Sequence, residues 1–340
     1  MKHETRVFIP RFDPTVETRI LWNELNDAFK EVLESGQFIL GPKTTEFEAQ
    51  LSSYLGVRHA IGVNSGTDAL VIALRALGVT AGDEVITTPF SFFATAEAIS
   101  LVGATPIFAD IDLNTFNLDP ANITKLISHK TKAVIPVHLF GHTADLSPML
   151  ELCSDAGLKL IEDCAQCLGG KYRARKTGTI GHASAISFYP TKNLGAFGDA
   201  GVIATNDDEM ATQAKTLRSH GAVRKNIHES IGYNSRLDAL QAAFLLVKLP
   251  YLDEWNLLRR EAAARYTNNL KGIEGLITPQ EAEYAFHIFH QYTIRLAKGK
   301  RDYVAKLLRM RAVSYTHLDV YKRQVTYLPE KDASLKHGTL

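Results

Sequence analysis

Between residues 60 and 206, short apolar runs rich in β-branched residues alternate with longer stretches whose apolar positions recur every three or four residues. The short runs predict strands at Ala60–Val63, Glu84–Thr88, Thr105–Ala109, Ala133–Val137, Lys159–Glu162, Ala185–Tyr189 and Gly201–Thr205. The periodic stretches, such as Asp68–Leu77 and Ser147–Ala156, predict amphipathic helices. Strands separated by helices imply a mostly parallel seven-stranded sheet flanked by helices, the α/β class. Ligands of such sheets sit in the crevice beyond the carboxyl ends of the strands. From Ser235 to about Leu270 the pattern turns helical, broken at Pro250. This reads as the exit from a large domain (residues 1–245) into a smaller α+β domain (residues 246–311), expected to be incomplete.

Composition narrows the function classes. With 38 Lys+Arg against 37 Asp+Glu the formal charge is +1, which leaves no basic footprint for nucleic acid or a membrane surface. No apolar run approaches the roughly 18 residues that span a bilayer. The opening MKHETRVFIPRFDP is too polar for a signal peptide, so a cytoplasmic location is expected. Cys153, Cys164 and Cys167 make no disulfide framework. Cys164 and Cys167 form a C-x-x-C without a second ligand pair, and no metal site is expected; both read as buried small hydrophobes.

Three motifs at strand ends carry candidate chemistry. In "SFYPTKNLGAFGDAG", Ser187 to Gly201, Lys192 stands between an aromatic strand end and a loop of small residues. That setting suits a desolvated, nucleophilic amine, although a lysine snorkelling from a buried strand end would look the same. In "GVNSGTDAL", Gly62 to Leu70, a strand leads through a small polar turn into a helix expected to start near Asp68. The N–H groups of Gly66 and Thr67, with the Ser65 and Thr67 hydroxyls, would make an anion site there, or Ser65 or Thr67 would simply cap the helix. In "KLIEDCAQ", Asp163 ends a buried-looking strand, where a carboxylate needs a cation: a scaffold base or a protonated pyridine nitrogen. An amine, a phosphate cradle and a pyridinium partner in one crevice are together the handles of pyridoxal 5′-phosphate.

"NSGTDAL", "TPFSFFATAEAI", "EDCAQ", "SFYPTKNLGAFGDAG" and "GYNSRLDALQAA" resemble the nucleotide-sugar aminotransferases of the DegT family, which have the fold-type I aminotransferase architecture. The resemblance runs from about Ile9 to about Arg301. It implies that Lys192 carries the internal aldimine, that Asp163 pairs with the pyridine nitrogen and that Gln166 lies near the ring's phenolic oxygen. It also implies that Gly66, Thr67 and Ser187 bind the phosphate and that Phe92 stacks on the ring, where the sequence alone would equally allow a core phenylalanine. Asn234 would reach the phosphate of the neighbouring subunit, making a homodimer the smallest active unit. The implied reaction moves an amino group from L-glutamate to a keto group of a nucleotide-linked 6-deoxyhexose by a ping-pong mechanism. Its products would be amino sugars for surface polysaccharide or secondary metabolites. A sugar-dehydrating branch of the family has histidine in place of the lysine, and Lys192 argues against that branch; a pyridoxal-phosphate-dependent sugar dehydratase or eliminase, or a catalytically impaired paralogue, are the alternatives. Ala200 and "QCLGG" depart from the family's usual "GDGG" and "QAHGA", away from the proposed reacting groups. His220, Arg224, Lys225 and His228 would either meet the sugar nucleotide's phosphates or form a solvated basic loop.

"AVSYTHLDVYKRQ", Ala312 to Gln324, breaks the pattern. One permitted back-translation contains CTGTCTCTTATACACATC followed by its own reverse complement, which resembles two library-adapter transposase ends joined head to head. Residues 312–340 are therefore expected to be a non-native tail, and His317, Asp319 and His337 are assigned no function.

Overall fold

The computed structural model describes residues 12–310. All seven expected strands form one sheet: β1 (His59–Val63), β2 (Glu84–Thr87), β3 (Thr105–Phe108), β4 (Thr131–Val134), β5 (Lys159–Asp163), β6 (Ala183–Ser187) and β7 (Gly201–Thr205). Their order across the sheet is β1-β7-β6-β5-β4-β2-β3. Only β7 runs against its neighbours. The carboxyl ends of β1, β6 and β5 therefore share one rim with the start of β7.

Four strands stop short of their expected ends, two of them by a single residue and two by more, beside a proline. The run 133–137 ends as a continuous strand at Val134 because Pro136 has no N–H to donate, although its carbonyl still accepts from the Asp163 N–H at 2.9 Å and Val137 bridges Asp163 in parallel. The run 185–189 leaves after Ser187 because the chain turns at Pro190, a turn closed by Lys192 N–H on the Tyr189 carbonyl at 2.8 Å. The early exit puts Lys192 at the rim instead of inside a strand.

Helices α1 (Thr15–Ile20), α2 (Trp22–Ser35) and α3 (Pro42–Leu55) precede the sheet; α4 (Gly66–Ala76), α5 (Ala94–Leu101) and α6 (Leu146–Ala156) connect its strands, and α7 (Asp208–Arg218) follows the last of them. One core packs Leu70, Ile72, Leu74, Ile99 and Leu217 onto Ile61 and Ile203. A second packs Phe47 and Leu51 of α3 and Leu245 of the next helix onto Ile186 and Phe188. That helix, α8 (Ala239–Lys248), crosses the 245/246 position of the expected domain boundary. It passes through a 3-10 turn containing Pro250 into α9 (Leu252–Leu270). Beyond lie short strand pairings and α10 (Arg301–Met310), a small α+β region. The expected tail at 312–340 lies outside the described residues.

Strand β1 is an edge, and its outward backbone groups need partners. The Glu48 carboxylate accepts from the Gly62 N–H at 2.7 Å, while Arg218 donates to the Gly62 carbonyl at 2.8 Å and pairs with Glu48. The strand that leads into the Ser65–Thr67 turn is thereby closed by a buried ion pair. Arg218→Met would strand the Glu48 carboxylate and the Gly62 carbonyl and is expected to cost about 3–5 kcal/mol in urea unfolding. An unchanged midpoint would remove this account of the edge.

Candidate active site

Helix α4 starts at Gly66, two residues before the position expected from periodicity, with Ser65 as its N-cap: the Ser65 hydroxyl accepts from the Asp68 N–H at 3.1 Å. Capping thus occupies Ser65. It leaves the Gly66 and Thr67 N–H groups in the first turn without intrahelical acceptors. A Cβ on Gly66 would lie 2.6 Å from Ser187 Cβ, so only glycine lets the α4 terminus meet the end of β6. Ser187 in turn pairs in register with Gly201 at the start of β7. Three strand ends therefore meet around a pair of free N–H donors and a serine, the makings of an anion cradle.

Asp163 ends β5 and is only 4% exposed. Its Oδ2 accepts from the Thr95 hydroxyl at 2.9 Å and its Oδ1 from the Ala165 N–H at 3.1 Å. Burial pushes its carboxyl above the usual range; those two donors and the Lys192 charge pull the other way and do not win. For Lys192, burial likewise lowers the ammonium pKa, and the Asp163 charge opposes that without reversing it. Each group senses the other's charge, yet desolvation dominates both, so the pair is poised toward neutrality. A buried carboxylate whose two donors leave it short of compensation favours an added cation.

Gln166 is fixed one turn beyond, its Oε1 accepting from the Phe140 N–H at 2.7 Å. Phe92 precedes α5 and is 72% exposed, which excludes the core-packing alternative for it. Asn234 is exposed, and its side-chain oxygen accepts from Arg236. His220, Arg224, Lys225 and His228 stand on or beside a solvent-exposed two-stranded ribbon. Cys153, Cys164 and Cys167 are buried; burial pushes the Cys153 thiol up to about 11 and the Cys167 thiol to about 12, which leaves them as unreactive hydrophobes at neutral pH.

Two groups escape sequence reasoning. Thr95, in "FFATAEAI", becomes a partner of Asp163 only when the first turn of α5 packs on the end of β5. Behind Asp163, the fully buried Glu162 accepts from His138 Nε2 at 3.0 Å and from the N–H groups of Gly178, Ile180 and Gly181 at 2.7–2.8 Å. Burial alone would raise the Glu162 carboxyl, but the His138 and backbone donors outweigh it and hold it low. His138 Nδ1 accepts from the Ala144 N–H at 3.0 Å, which assigns its proton to Nε2. Successive strand residues face opposite sides, so this network braces β5 while Asp163 faces the crevice.

The arrangement fits pyridoxal phosphate: a cradle with free N–H donors for the phosphate, a desolvated amine, a buried carboxylate short of a cation and an exposed phenylalanine nearby. Comparison with known proteins agrees. The model of the DegT/DnrJ/EryC1/StrS aminotransferase family matches residues 20–335. The chain is 46% identical over 308 residues to the "Pleiotropic regulatory protein" of Geobacillus stearothermophilus, covering 90% of this chain and 82% of that one. It is 41% identical over 306 residues to the UDP-N-acetyl-3-dehydro-alpha-D-glucosamine 3-aminotransferase of Acidithiobacillus ferrooxidans, covering 90% and 82%. The crystal structure of S. venezuelae DesV in complex with a ketimine intermediate superposes with a TM-score of 0.88 at 41% identity, covering 90% of this chain and 82% of that chain. The chain belongs to the DegT/DnrJ/EryC1/StrS aminotransferase family and is a pyridoxal-phosphate-dependent transaminase.

Proposed function

We propose that the protein transfers an amino group from L-glutamate to the keto group at carbon 3 of a nucleotide-linked hexose, in the cytoplasm, on the way to an amino sugar. The observation that carries this is the buried Asp163 carboxylate, held by Thr95 and Ala165 and within reach of the Lys192 charge, on the same strand rim as the open N-terminus of α4. Carbon 3 is favoured by the 3-aminotransferase relative at 41% identity.

The N–H groups of Gly66 and Thr67 and the Ser187 hydroxyl would hold the coenzyme phosphate. Phe92 would cover one ring face, and Gln166, tethered to Phe140, would hold the ring's oxygen. Bound there, the coenzyme supplies an electron sink for the negative charge left when the donor's α-proton departs. Asp163, its carboxylate held in place by Thr95 and Ala165, would be the partner of the ring nitrogen and would favour its protonated form. The Lys192 amine, its basicity lowered by burial, takes the α-proton and returns it one position along, as general base and then acid. Asn234 from a second copy completes the phosphate site, so the working unit is a homodimer.

The test is an absorbance titration of the purified protein with pyridoxal phosphate, then L-glutamate, then a UDP-linked 3-keto-hexose. The coenzyme band should disappear with glutamate and return with the keto-sugar, as two half-reactions on one coenzyme require. A bound coenzyme that ignores glutamate but responds to another amine would overturn the donor. Return of the band only with 4-keto sugars would overturn the position.

A further inference from the structure

The loop that carries Lys192 is held by a buried cation on another helix. Lys248, at the end of α8, is 3% exposed. Its Nζ donates to the Gly195 carbonyl at 2.8 Å, lies 2.6 Å from Glu17 Oε1 on α1 and sits 4.0 Å from the centre of the Phe197 ring. Gln241, Phe244 and Lys248 lie three and four residues apart, hence on one face of α8. Gln241 accepts from the Phe197 N–H at 2.9 Å, and the Phe244 and Phe197 rings meet edge to face at 5.1 Å. One helix face therefore grips the backbone and ring of residues 195–197.

That grip reaches Lys192 because the intervening loop is closed on itself. A Cβ on Gly195 would come within 2.4 Å of the Pro190 carbonyl oxygen, so the chain before and after Lys192 is in contact and moves as a unit. On the other side, Asn193 donates to Asn256 at 2.7 Å and accepts from His290 Nδ1 at 3.0 Å. These are neutral bonds. The Lys248 bond to Gly195 is charge-assisted and is the stronger tether. A lysine buried among the Leu, Ala and Phe side chains of α8 costs stability unless its ammonium is paired, and Glu17 supplies the pairing.

We infer that Lys248, charge-balanced by Glu17, is a positioning residue that presents the Lys192 amine to the coenzyme. The inference rests on the reading of Lys192 as the coenzyme-binding lysine. It separates two quantities. Reaction of the Lys192 amine with the coenzyme aldehyde, with loss of water, depends on where the amine points. Affinity for pyridoxamine phosphate, which has no aldehyde, depends on the cradle, Asp163 and Phe92 but not on the amine.

Lys248→Met keeps the stem volume and removes the ammonium; Glu17→Gln keeps the tether's atoms and removes the counter-charge. Both should slow appearance of the lysine–coenzyme absorbance band by about tenfold or more, since misplacing a reacting group by an ångström is that costly. Pyridoxamine phosphate affinity should stay within about twofold of the parent. A parental rate in either folded variant overturns the inference, as does an equal loss of pyridoxamine phosphate affinity, which would mark a general structural role. If Lys248→Met does not fold, Glu17→Gln decides alone. Failure of the parent protein itself to form the Lys192 band would instead strike the proposed function.

Discussion

Lys192→Ala is expected to reduce transamination by about a thousandfold or more, because in the proposed mechanism it removes both the nucleophile that binds the coenzyme and the base that moves the proton. The absorbance band of the covalently held coenzyme should vanish, and the fold should not. The native state places this amine where burial disfavours its charge, so deleting it relieves a cost and removes no strong contact of the side chain. The pH dependence makes that argument checkable without any turnover. A lysine whose folded pKa lies below its ordinary value of 10.5 binds fewer protons folded than unfolded across that interval. Stability of the coenzyme-free parent should therefore rise with pH from the lowered value up to about 10.5. In Lys192→Ala that increment should be missing, as read by urea midpoints between neutral and alkaline pH. Near-normal turnover in the variant would remove Lys192 from the mechanism, whatever the stability data show.

The strand pattern was legible because parallel strands buried on both faces read as uninterrupted apolar runs such as Val85–Ile86 and Leu160–Ile161, bounded by turn residues. Their ends were legible less well. Nothing in "AVIPV" says that Pro136 will spend its carbonyl on Asp163, and Tyr189 looks like a strand residue until the turn at Pro190 is seen. Lys192, Asp163 and Gly66 could be singled out because each is chemically out of place among apolar or small neighbours. Thr95 could not, since a threonine opening a helix is ordinary until its hydroxyl is found on Asp163. Lys248 carried a signal that went unread, a single charge within the apolar run "AAFLLVKL". Its partner Glu17, though, lies at the other end of the sequence, and only the packing of α1 beside α8 joins them. Asn234 shows a different limit: it is exposed in one copy of the chain, and its proposed role needs a second.

Asp163→Asn is the complementary experiment and is expected to separate catalysis from folding. On the proposed mechanism, asparagine would deprive the ring nitrogen of the anion that keeps it protonated and weaken the sink for the developing negative charge. Removal of one such preorganised electrostatic partner should slow the glutamate half-reaction by about a thousandfold. Coenzyme binding through the phosphate cradle and Lys192 should persist, so the defect belongs in the proton-transfer step of a stopped-flow trace and not in its amplitude. The coenzyme-free protein should respond in the opposite sense. Burial raises the Asp163 carboxyl above its ordinary 3.8, so the folded state binds more protons than the unfolded one just above that value. Stability of the parent then falls as pH rises through the window from 3.8 to the raised value, and the loss persists at neutral pH. The amide is spared that loss, since its oxygen still accepts from Ala165 and the Thr95 hydroxyl can turn to accept from its nitrogen. At pH 7 the coenzyme-free Asn variant should unfold at a higher urea concentration than the coenzyme-free parent. Addition of pyridoxal phosphate should reverse that order, because only the aspartate gains a cation. If the order does not reverse while both proteins bind the coenzyme, Asp163 is not the ring nitrogen's partner, and the buried carboxylate would have to be explained by the scaffold alone.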